Sequence, residues 1–534
     1  MKNIPHTIIA ILLLLPEMLY AQTPAFTPER KLRYAEQIIE NFYLENPDTT
    51  KMVEDAIVAM LKTLDPHSTY SNAEETRELT EPLDGGFSGI GIRFQMLGDT
   101  LSVVEVISGG PSESSGLLAG DKIIACNDSV ISGAKKKNSQ IMSILRGPKG
   151  TVANLKVLRK GSSEPIDFRV IRDDIPIYSV DACYMADANT GYIRIARFAE
   201  STSKEVAEAM KTLRKDGMKN VIIDLTDNGG GYLRPAYEIA NMFLRKGDKL
   251  VYTDSPRGGR HDYVAEENGK FLDGKVVIMA NQFSASASEI LSGAIQDNDR
   301  GAIVGRRTFG KGLVQRPFPF PDGSMMRLTI AHYYTPTGRD IQKPYTKGQG
   351  DAYAKDILTR YNQGELMHAD SIHYADSLRV NTLRFGRPIY GGGGISPDVF
   401  VPLDTTFYSD YYRDLNAKGL VNQFAIRYTD ANRKAIKQQY KNAEAFEKNF
   451  VVTNQMVDDL VALAEKEGVK PRPEGLERSR TTIENVVKAI VARDVYGDDD
   501  LFFRILNSNN DIYREALRLI QSPDYDRLLS APQQ

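Results

Sequence analysis

The chain has 534 residues, of which 41% are hydrophobic and 26% charged, close to the proportions of globular proteins. These values exclude a wholly disordered chain, a collagen and a polytopic membrane protein. The 67 basic and 70 acidic residues leave a net charge of −3, so no basic excess favours nucleic acid as a partner. The two cysteines, Cys126 and Cys183, are too few for a disulfide scaffold, and whether they pair stays open.

Residues 1–21 have the layout of a secretory signal peptide. Lys2 supplies a positive charge, residues 7–15 form an apolar run, and Ala21 offers a small residue at the cleavage position. A membrane-spanning helix needs about 20 apolar residues, which is longer than this run. The alternative is a buried N-terminal helix. We therefore expect the mature chain to be exported.

Four regions follow this leader and differ in the spacing of their apolar residues. The first predicts helices that stop at Asp65-Pro66, and the second, rich in short β runs and glycine turns, predicts a small β domain. The third alternates strand and helix patterns, which predicts an α/β domain with a loop-rich excursion at residues 336–400. The fourth predicts amphipathic helices. In chain order the regions are residues 22–84, 85–175, 176–405 and 406–534.

A group of serines lies where a predicted buried strand leads into a helix. In NQFSASASEI, Ser284, Ser286 and Ser288 lie near the helix N-terminus, where free backbone N–H groups point outward. An acyl-transfer enzyme needs this arrangement, because a nucleophilic hydroxyl must lie beside donors for the oxyanion. Serine also favours N-cap positions for structural reasons, so this segment alone does not identify a catalytic residue.

Lys311 lies in the segment TFGKGLVQ, between Gly310 and Gly312 and beside apolar residues. A lysine acts as a general base only if its pKa falls far below about 10.4. Burial among apolar groups lowers that pKa, because it disfavours the charged form. The ordinary alternative is a lysine in a surface turn.

A third segment, DLTDNGGGYL at residues 224–233, carries a buried strand into a run of glycines. Such a turn aims backbone N–H groups into a site, or simply joins a strand to a helix. A phosphate cradle is another use of a glycine turn, but this one has no GxGxxG or Walker-type pattern. We therefore expect no nucleotide.

Together these segments resemble the tail-specific, or carboxyl-terminal processing, serine peptidases. That family carries a serine in a SASASE-like segment and a lysine 25 residues later in a TFGKG-Q segment, which selects Ser286 as the nucleophile and Lys311 as the general base. The resemblance further implies three supporting roles. Gln315 would orient the lysine, Ala287 would supply an oxyanion N–H, and Glu289 would support the site.

The resemblance covers about residues 28–405. The glycine turn matches the other oxyanion segment of the family, in which we assign the donor to Gly230, although the chain has Thr226 where the family usually has an arginine. The fold implied is multidomain α/β. It has a crotonase- or ClpP-like α/β peptidase core, a PDZ β domain ahead of it in sequence, and helical N- and C-terminal regions.

The second region resembles a PDZ domain through FSGIGIRF, GGPSESSGLLAGDKI and LRGPKGTVANLKVLR. PDZ domains add a peptide as a strand to a sheet edge and hold its carboxylate with backbone N–H groups of a glycine loop. We assign that loop to Ser88, Gly89, Ile90, Gly91 and Ile92. The alternative is a β domain that only packs against its neighbours.

Arg146, in LRGPKG, has a role that the same resemblance implies. We expect it to couple the position of the PDZ domain to the peptidase domain. An ordinary turn arginine is the alternative.

Three alternatives differ in class from a Ser–Lys peptidase. A Ser–His–Asp triad would use His332, but no pattern places it near Ser286, and we expect His67 to cap or bridge. A non-catalytic PDZ adaptor with a degenerate peptidase domain is disfavoured, because the serine, lysine and glutamine are all present at their spacing. A crotonase-like acyl enzyme would bind acyl-CoA and lack both the leader and the PDZ segment.

The sequence thus predicts an exported serine endopeptidase of the bacterial periplasm, acting through an acyl-enzyme. Its expected partners are protein substrates with accessible C-terminal tails. An adaptor protein, or a second copy of the chain bound through the helical ends, is a further candidate partner. We expect no cofactor, metal or nucleic acid.

Overall fold

A computed structural model of the chain describes residues 27–107 and 109–530. The predicted signal peptide, residues 1–21, lies outside these ranges. Within them, no helix has the length and apolar character needed to cross a membrane.

The N-terminal region begins with two capped helices. The side chain of Thr27 accepts from the N–H of Arg30, and that of Asp48 accepts from the N–H of Lys51, so each helix start has a bonded donor. Beyond Asp65-Pro66 the chain forms a short strand and a third helix. The elements are α1 (Pro28–Phe42), α2 (Thr49–Lys62), β1 (Thr69–Ser71) and α3 (Ala73–Asp84).

The second region is a small antiparallel β domain with one open edge. Its main sheet has the order β3-β4-β5-β7-β8, with β6 paired to β5, while β2 and β9 form a separate pair. Among the described residues β3 is hydrogen-bonded only to β4, so its outer edge is free. The elements are β2 (Gly86–Gly89), β3 (Ile92–Leu97), β4 (Thr100–Val106), α4 (Pro111–Ser114), β5 (Lys122–Cys126), β6 (Ser129–Val130), α5 (Asn138–Leu145), β7 (Val152–Leu158), β8 (Ile166–Ile171) and β9 (Asp173–Pro176).

The third region alternates strands and helices, as the sequence predicts. Its elements are β10 (Val180–Met185), β11 (Thr190–Ile195), α6 (Thr202–Lys215), β12 (Asn220–Asp224), α7 (Leu233–Asn241), β13 (Lys249–Ser255), β14 (Gly259–Val264), β15 (Val276–Ala280), α8 (Ala287–Asp297), β16 (Ala302–Gly305), β17 (Leu313–Pro319), β18 (Met325–Tyr334), α9 (Gly350–Ala354), α10 (Asp356–Asn362), β19 (Arg379–Asn381), β20 (Pro388–Tyr390) and β21 (Val399–Phe400), with 3₁₀ turns at Ala369–Ser371 and Asp376–Leu378.

A six-stranded sheet of order β10-β11-β12-β15-β16-β21 forms the centre of this region. The strands from β11 to β21 in this order run parallel, and only β10 is antiparallel. All five residues of β15 are buried, because a parallel sheet is covered on both faces. The turns after β12 and β15 therefore emerge at the same edge of the sheet, where the glycine run and the serine segment meet.

A second sheet carries the lysine segment next to this edge. Its order is β1-β18-β13-β14, with β17 also paired to β18. β1 comes from the N-terminal region and pairs antiparallel with β18, Thr69 lying opposite Arg327. The N-terminal region thereby contributes a strand to the sheet that contains β17, the strand that follows Lys311.

The excursion at residues 336–400 supports the lysine segment rather than lying apart from it. Arg360, on α10, is 2% exposed and donates to the carbonyl oxygens of Arg307 and Thr308. Glu365 accepts from both Arg307 and Arg360, so the buried positive charges are paired.

The C-terminal region divides into two packing units. Helices α11 to α16 form a bundle with its own core, and this bundle also contacts the β domain through Val104. Helices α17 and α18 instead cover the face of the central sheet opposite α6, α7 and α8. The helices are α11 (Asp410–Ala417), α12 (Leu420–Gln439), α13 (Ala443–Asn449), α14 (Asn454–Lys466), α15 (Pro473–Tyr496), α16 (Asp499–Asn507), α17 (Asp511–Gln521) and α18 (Asp524–Leu528).

Candidate active site

Ser286 lies at the start of α8, where the chain turns sharply out of the buried strand β15. Its φ is +56°, a value that residues with a side chain rarely adopt. Such strain persists only where the surrounding contacts enforce it, and it is common at functional sites. Ser286 is half-buried, which leaves its side chain partly accessible.

The other two serines of the segment have structural partners. The hydroxyl of Ser284 donates to the carbonyl oxygen of Leu225 at 2.7 Å, and that of Ser288 donates to the carbonyl oxygen of Asn228 at 2.9 Å. Both side chains are fully buried. Of the three serines, Ser286 alone retains exposure.

Glu289 ties the serine and lysine segments together. One carboxylate oxygen, Oε2, accepts from the N–H of Ser286 at 2.8 Å and from the N–H of Lys311 at 2.9 Å. The other oxygen accepts from the hydroxyl of Thr308 at 2.6 Å and the N–H of Gly310 at 2.7 Å. Burial raises the pKa of Glu289, against the opposite effect of these hydrogen bonds. The backbones of Ser286 and Lys311 thus meet at one oxygen atom.

Tyr333, on β18, makes a second connection between the two segments. Its buried hydroxyl lies within hydrogen-bond distance of the carbonyl oxygens of Ser286 and Lys311. No sequence pattern singles out this residue, because only the antiparallel pairing of β17 with β18 brings it to the site.

Lys311 has the electrostatic environment that a lysine base requires. Burial is the main cause that lowers its pKa to about 8, and the positive charge of Arg327 contributes in the same direction. The negative charges of Glu289 and Asp65 act in the opposite direction. No hydrogen bond joins Nζ of Lys311 to any residue that the structure describes. A substantial fraction of this amine is therefore neutral near pH 8.

Gln315 is directed to a different partner from the one that the resemblance implies. It lies opposite Thr329 in the β17–β18 pair, and its Nε2 donates to Oγ1 of Thr329 at 3.2 Å. Oγ1 of Thr329 in turn donates to Oδ1 of Asp65 at 2.9 Å. Within the described chain Gln315 makes no hydrogen bond to Lys311, so its orienting role stays a prediction.

The glycine turn lies against the start of α8. A Cβ added to Gly230 would come within 2.8 Å of the carbonyl oxygen of Ala285 and of Cβ of Ser286. The N–H of Gly230, however, donates to Oδ1 of Asn228 at 2.8 Å and is not free to bind an oxyanion, which corrects our assignment of the donor. The N–H groups of Gly231 and Ala287 have no acceptor in the part of the chain that the structure describes.

The two histidines considered from the sequence have different surroundings. Alternate residues of a strand point to opposite faces, so His332 points away from the face on which Tyr333 contacts the site. His67 bridges to the hydroxyl of Tyr353 at 2.8 Å, as its expected bridging role requires. Burial, followed by the charge of Lys311, lowers the pKa of His67 to about 3, so this ring is neutral beside the lysine.

The glycine loop of the β domain leads into the open edge strand. Gly91 has φ +74°, and the N–H groups of Ile90 and Gly91 have no acceptor in residues 27–107 and 109–530. Ser88 and Gly89 belong instead to β2, paired with β9, and Ile92 begins β3. Free N–H groups next to an open edge are what capture of a peptide carboxylate requires.

Arg146 connects the β domain to the N-terminal region. It forms an ion pair with Glu81 of α3, and its guanidinium lies 4.4 Å from the centre of the Phe87 ring. Asp84, at the end of α3, accepts from the hydroxyl of Tyr232 at 2.7 Å. Tyr232 follows the glycine turn directly, so α3 lies between Arg146 and the candidate oxyanion segment.

Known families match three segments of the chain. Residues 88–171 match the PDZ domain, residues 189–349 match peptidase family S41, and residues 411–497 match a family of unknown function, DUF8443. The PDZ and S41 matches confirm the predicted fold class of an α/β peptidase core joined to a PDZ domain with helical ends.

Curated relatives extend over most of the same residues. The carboxy-terminal-processing protease of Bartonella bacilliformis is 36% identical over 308 residues, which cover 56% of this chain and 69% of that protein. Carboxy-terminal processing protease CtpA of Bacillus subtilis is 34% identical over 330 residues, covering 61% of this chain and 70% of the relative. Among solved structures, the photosystem II D1 C-terminal processing protease is 26% identical with a TM-score of 0.35, covering 70% of this chain and 87% of that one. The chain therefore belongs to the carboxy-terminal-processing serine proteases of peptidase family S41.

Proposed function

We propose that this chain is an exported serine endopeptidase of the bacterial periplasm, with Ser286 as nucleophile and Lys311 as general base. The observation that supports it most directly is the carboxylate of Glu289, which accepts from the backbone N–H groups of both residues. The lowering of the Lys311 pKa to about 8 supports the same roles, because a base must be neutral to accept a proton.

In the proposed reaction, neutral Lys311 takes the proton of the Ser286 hydroxyl as Oγ attacks the scissile carbonyl carbon. The N–H groups of Ala287 and Gly231 bind the oxyanion that forms. The protonated lysine then gives its proton to the departing amine as the peptide C–N bond breaks. A water molecule, deprotonated by Lys311, hydrolyses the acyl-enzyme and releases Ser286.

Substrates would be selected by the PDZ domain. We place the C-terminal carboxylate of the substrate on the free N–H groups of Ile90 and Gly91, with the preceding residues added as a strand along β3. Arg146 would report the position of the PDZ domain to the peptidase core through α3. The competing proposal is a PDZ adaptor that binds tails and cleaves nothing.

Cleavage of an unfolded protein with an apolar C-terminal tail tests this proposal. We expect mature wild type, residues 22–534, to cleave it, and Ser286→Ala and Lys311→Ala to lose at least about 1,000-fold in rate while still binding the tail. His332→Ala is the matched control and keeps its activity. A wild-type protein that binds the tail without cleaving it would favour the adaptor. Loss of activity in His332→Ala alone would identify His332, and not Lys311, as the general base.

We further propose that self-association, expected through the helical ends, uses α1. This helix has no buried residue, although Leu32, Ile39 and Phe42 are 54%, 38% and 82% exposed. With Ala35 these residues follow the alternating three- and four-residue spacing of a coiled-coil seam. The partner that packs against this seam is α1 of a second copy of the chain.

Charge complementarity favours a parallel pair of these helices. Lys31 and Glu36 flank the seam at positions that face each other across a parallel coiled coil, and α1 has no net charge to attract an anionic membrane. Sedimentation should show a dimer that Ile39→Glu dissociates and that Gln37→Glu, on the opposite face, preserves. A monomeric wild type would contradict the proposal.

A further inference from the structure

The loop after α2 brings an acidic residue of the N-terminal region to the peptidase site. Oδ1 of Asp65 accepts from the N–H groups of His67 and Ser68, and Oδ2 accepts from the hydroxyl of Ser68. Oγ of Ser68 also accepts from the N–H of Thr329 at 3.1 Å. The loop is therefore fixed to β18 by backbone as well as side-chain contacts, next to the pairing of β1 with that strand.

The hydrogen bonds of Thr329 have only one consistent direction. A carboxylate only accepts, so the single hydroxyl proton of Thr329 goes to Asp65, 2.9 Å away. Oγ1 of Thr329 must then accept from Gln315, which presents its NH₂ group. Because the NH₂ group of Gln315 is directed at Thr329, the carbonyl oxygen of the same amide is left to accept a hydrogen bond from the Lys311 amine.

The charge of Asp65 also acts on Lys311 directly. The charged groups that influence the lysine come from three elements: Arg327 on β18, Glu289 on α8, and Asp65 in the N-terminal loop. His67 lies close by but is neutral. Hydrogen bonds from Ser68, His67 and Thr329 outweigh the effect of burial and lower the pKa of Asp65, so this carboxyl is ionised throughout the working range of a lysine base.

We propose that Asp65 is a positioning residue for the lysine base, acting through Thr329 on Gln315 and through its own charge on Lys311. The proposal rests on the Ser286–Lys311 mechanism. Asp65 touches neither the serine nor the substrate carbonyl in this arrangement, and it makes the N-terminal region a part of the peptidase site. The PDZ and S41 family matches both lie outside it, beginning at residues 88 and 189.

The pH dependence of kcat/KM between pH 6 and 10 tests this role. Asp65→Asn removes the negative charge and no longer fixes the direction of the Thr329 hydrogen bonds. We therefore expect the plateau of kcat/KM to fall roughly tenfold, and the rise of kcat/KM with pH to shift by roughly half a unit to lower pH. Thr329→Val breaks only the hydrogen-bond chain from Asp65 to Gln315. The plateau of kcat/KM should therefore fall, while the pH at which kcat/KM rises should not change. Thr329→Ser retains the hydroxyl and should restore the wild-type rate.

Two further measurements separate this inference from the mechanism on which it rests. The pH dependence of Ser286 modification by a sulfonyl fluoride reports the base without any protein substrate, and Asp48→Asn, an exposed helix cap, is the matched control. Unchanged profiles in Asp65→Asn, or equal rates for Thr329→Val and Thr329→Ser, would overturn the inference. If Asp65→Asn does not fold, the Thr329 pair decides. Equal activity of wild type and Ser286→Ala would instead refute the mechanism.

Discussion

At the scale of single residues, the site depends on groups whose ordinary properties are altered by their surroundings. Ser286 has a backbone conformation at φ +56° that costs of the order of 1–3 kcal/mol, and the hydrogen bonds of its N–H and carbonyl groups hold it there. Lys311 has a pKa of about 8, mainly because it is buried. In the proposed mechanism both altered properties serve the same step, transfer of a proton from Ser286 to Lys311.

The pKa of Lys311 predicts how activity varies with pH. In the proposed mechanism the neutral amine is the active form, so kcat/KM should rise with pH through about 8 and level off above it. At pH 6 about 1% of the lysine is neutral, and the rate should lie about 100-fold below the plateau. Initial rates on a peptide substrate measure this directly. A flat profile from pH 5 to 10 would contradict a lysine base.

At the scale of secondary-structure elements, the site is formed where two parallel strands end at one edge. β12 leads into the glycine turn and β15 into Ser286, and their parallel pairing sets these turns side by side. The antiparallel pair β17–β18 then adds Tyr333 and Thr329 to the site. The sequence spacing indicates the serine and the lysine, but it carries no sign of these cross-strand partners.

Two neighbouring glycines of this turn should differ sharply in their tolerance of alanine. Gly230 has φ +102°, and an added Cβ would lie 2.8 Å from Cβ of Ser286, so Gly230→Ala should displace the nucleophile and lower kcat/KM roughly 100-fold. A Cβ on Gly229 meets no atom within 4 Å, so Gly229→Ala should stay within about twofold of wild type. Equal rates for the two variants would show that the turn does not position Ser286.

At the scale of the whole molecule, the two ends of the chain complete the peptidase region. The N-terminal region contributes β1 to the second sheet and Asp65 to the site. The C-terminal helix α17 covers the second face of the central sheet, with Ile512, Ala516 and Leu519 packed on that face. The peptidase core is therefore a three-layer structure whose outer layer follows the α11–α16 bundle in sequence.

The covering of the central sheet by α17 predicts a large stability effect far from the site. Leu519 is 2% exposed, and Leu519→Ala should lower the free energy of unfolding by about 2–5 kcal/mol through lost burial and a cavity. Arg514→Ala, on the exposed side of the same helix, should change it by less than about 0.5 kcal/mol. Urea denaturation followed by circular dichroism compares them. Similar midpoints for both variants would mean that α17 is not a stabilising layer.

Local patterns in the sequence determined the elements and the reactive residues. The buried strands, the amphipathic helices and the glycine turns follow from spacing and composition, because these signals act over a few residues. The resemblance in the SASASE and TFGKG-Q segments selected Ser286 and Lys311 as the proposed nucleophile and base.

Tertiary structure alone decided which distant groups complete the site. Asp65 and Thr329 are far apart in sequence and meet only because β1 pairs with β18. Burial and hydrogen-bond partners depend on such long-range contacts, and burial is the main cause of the lowered pKa of Lys311.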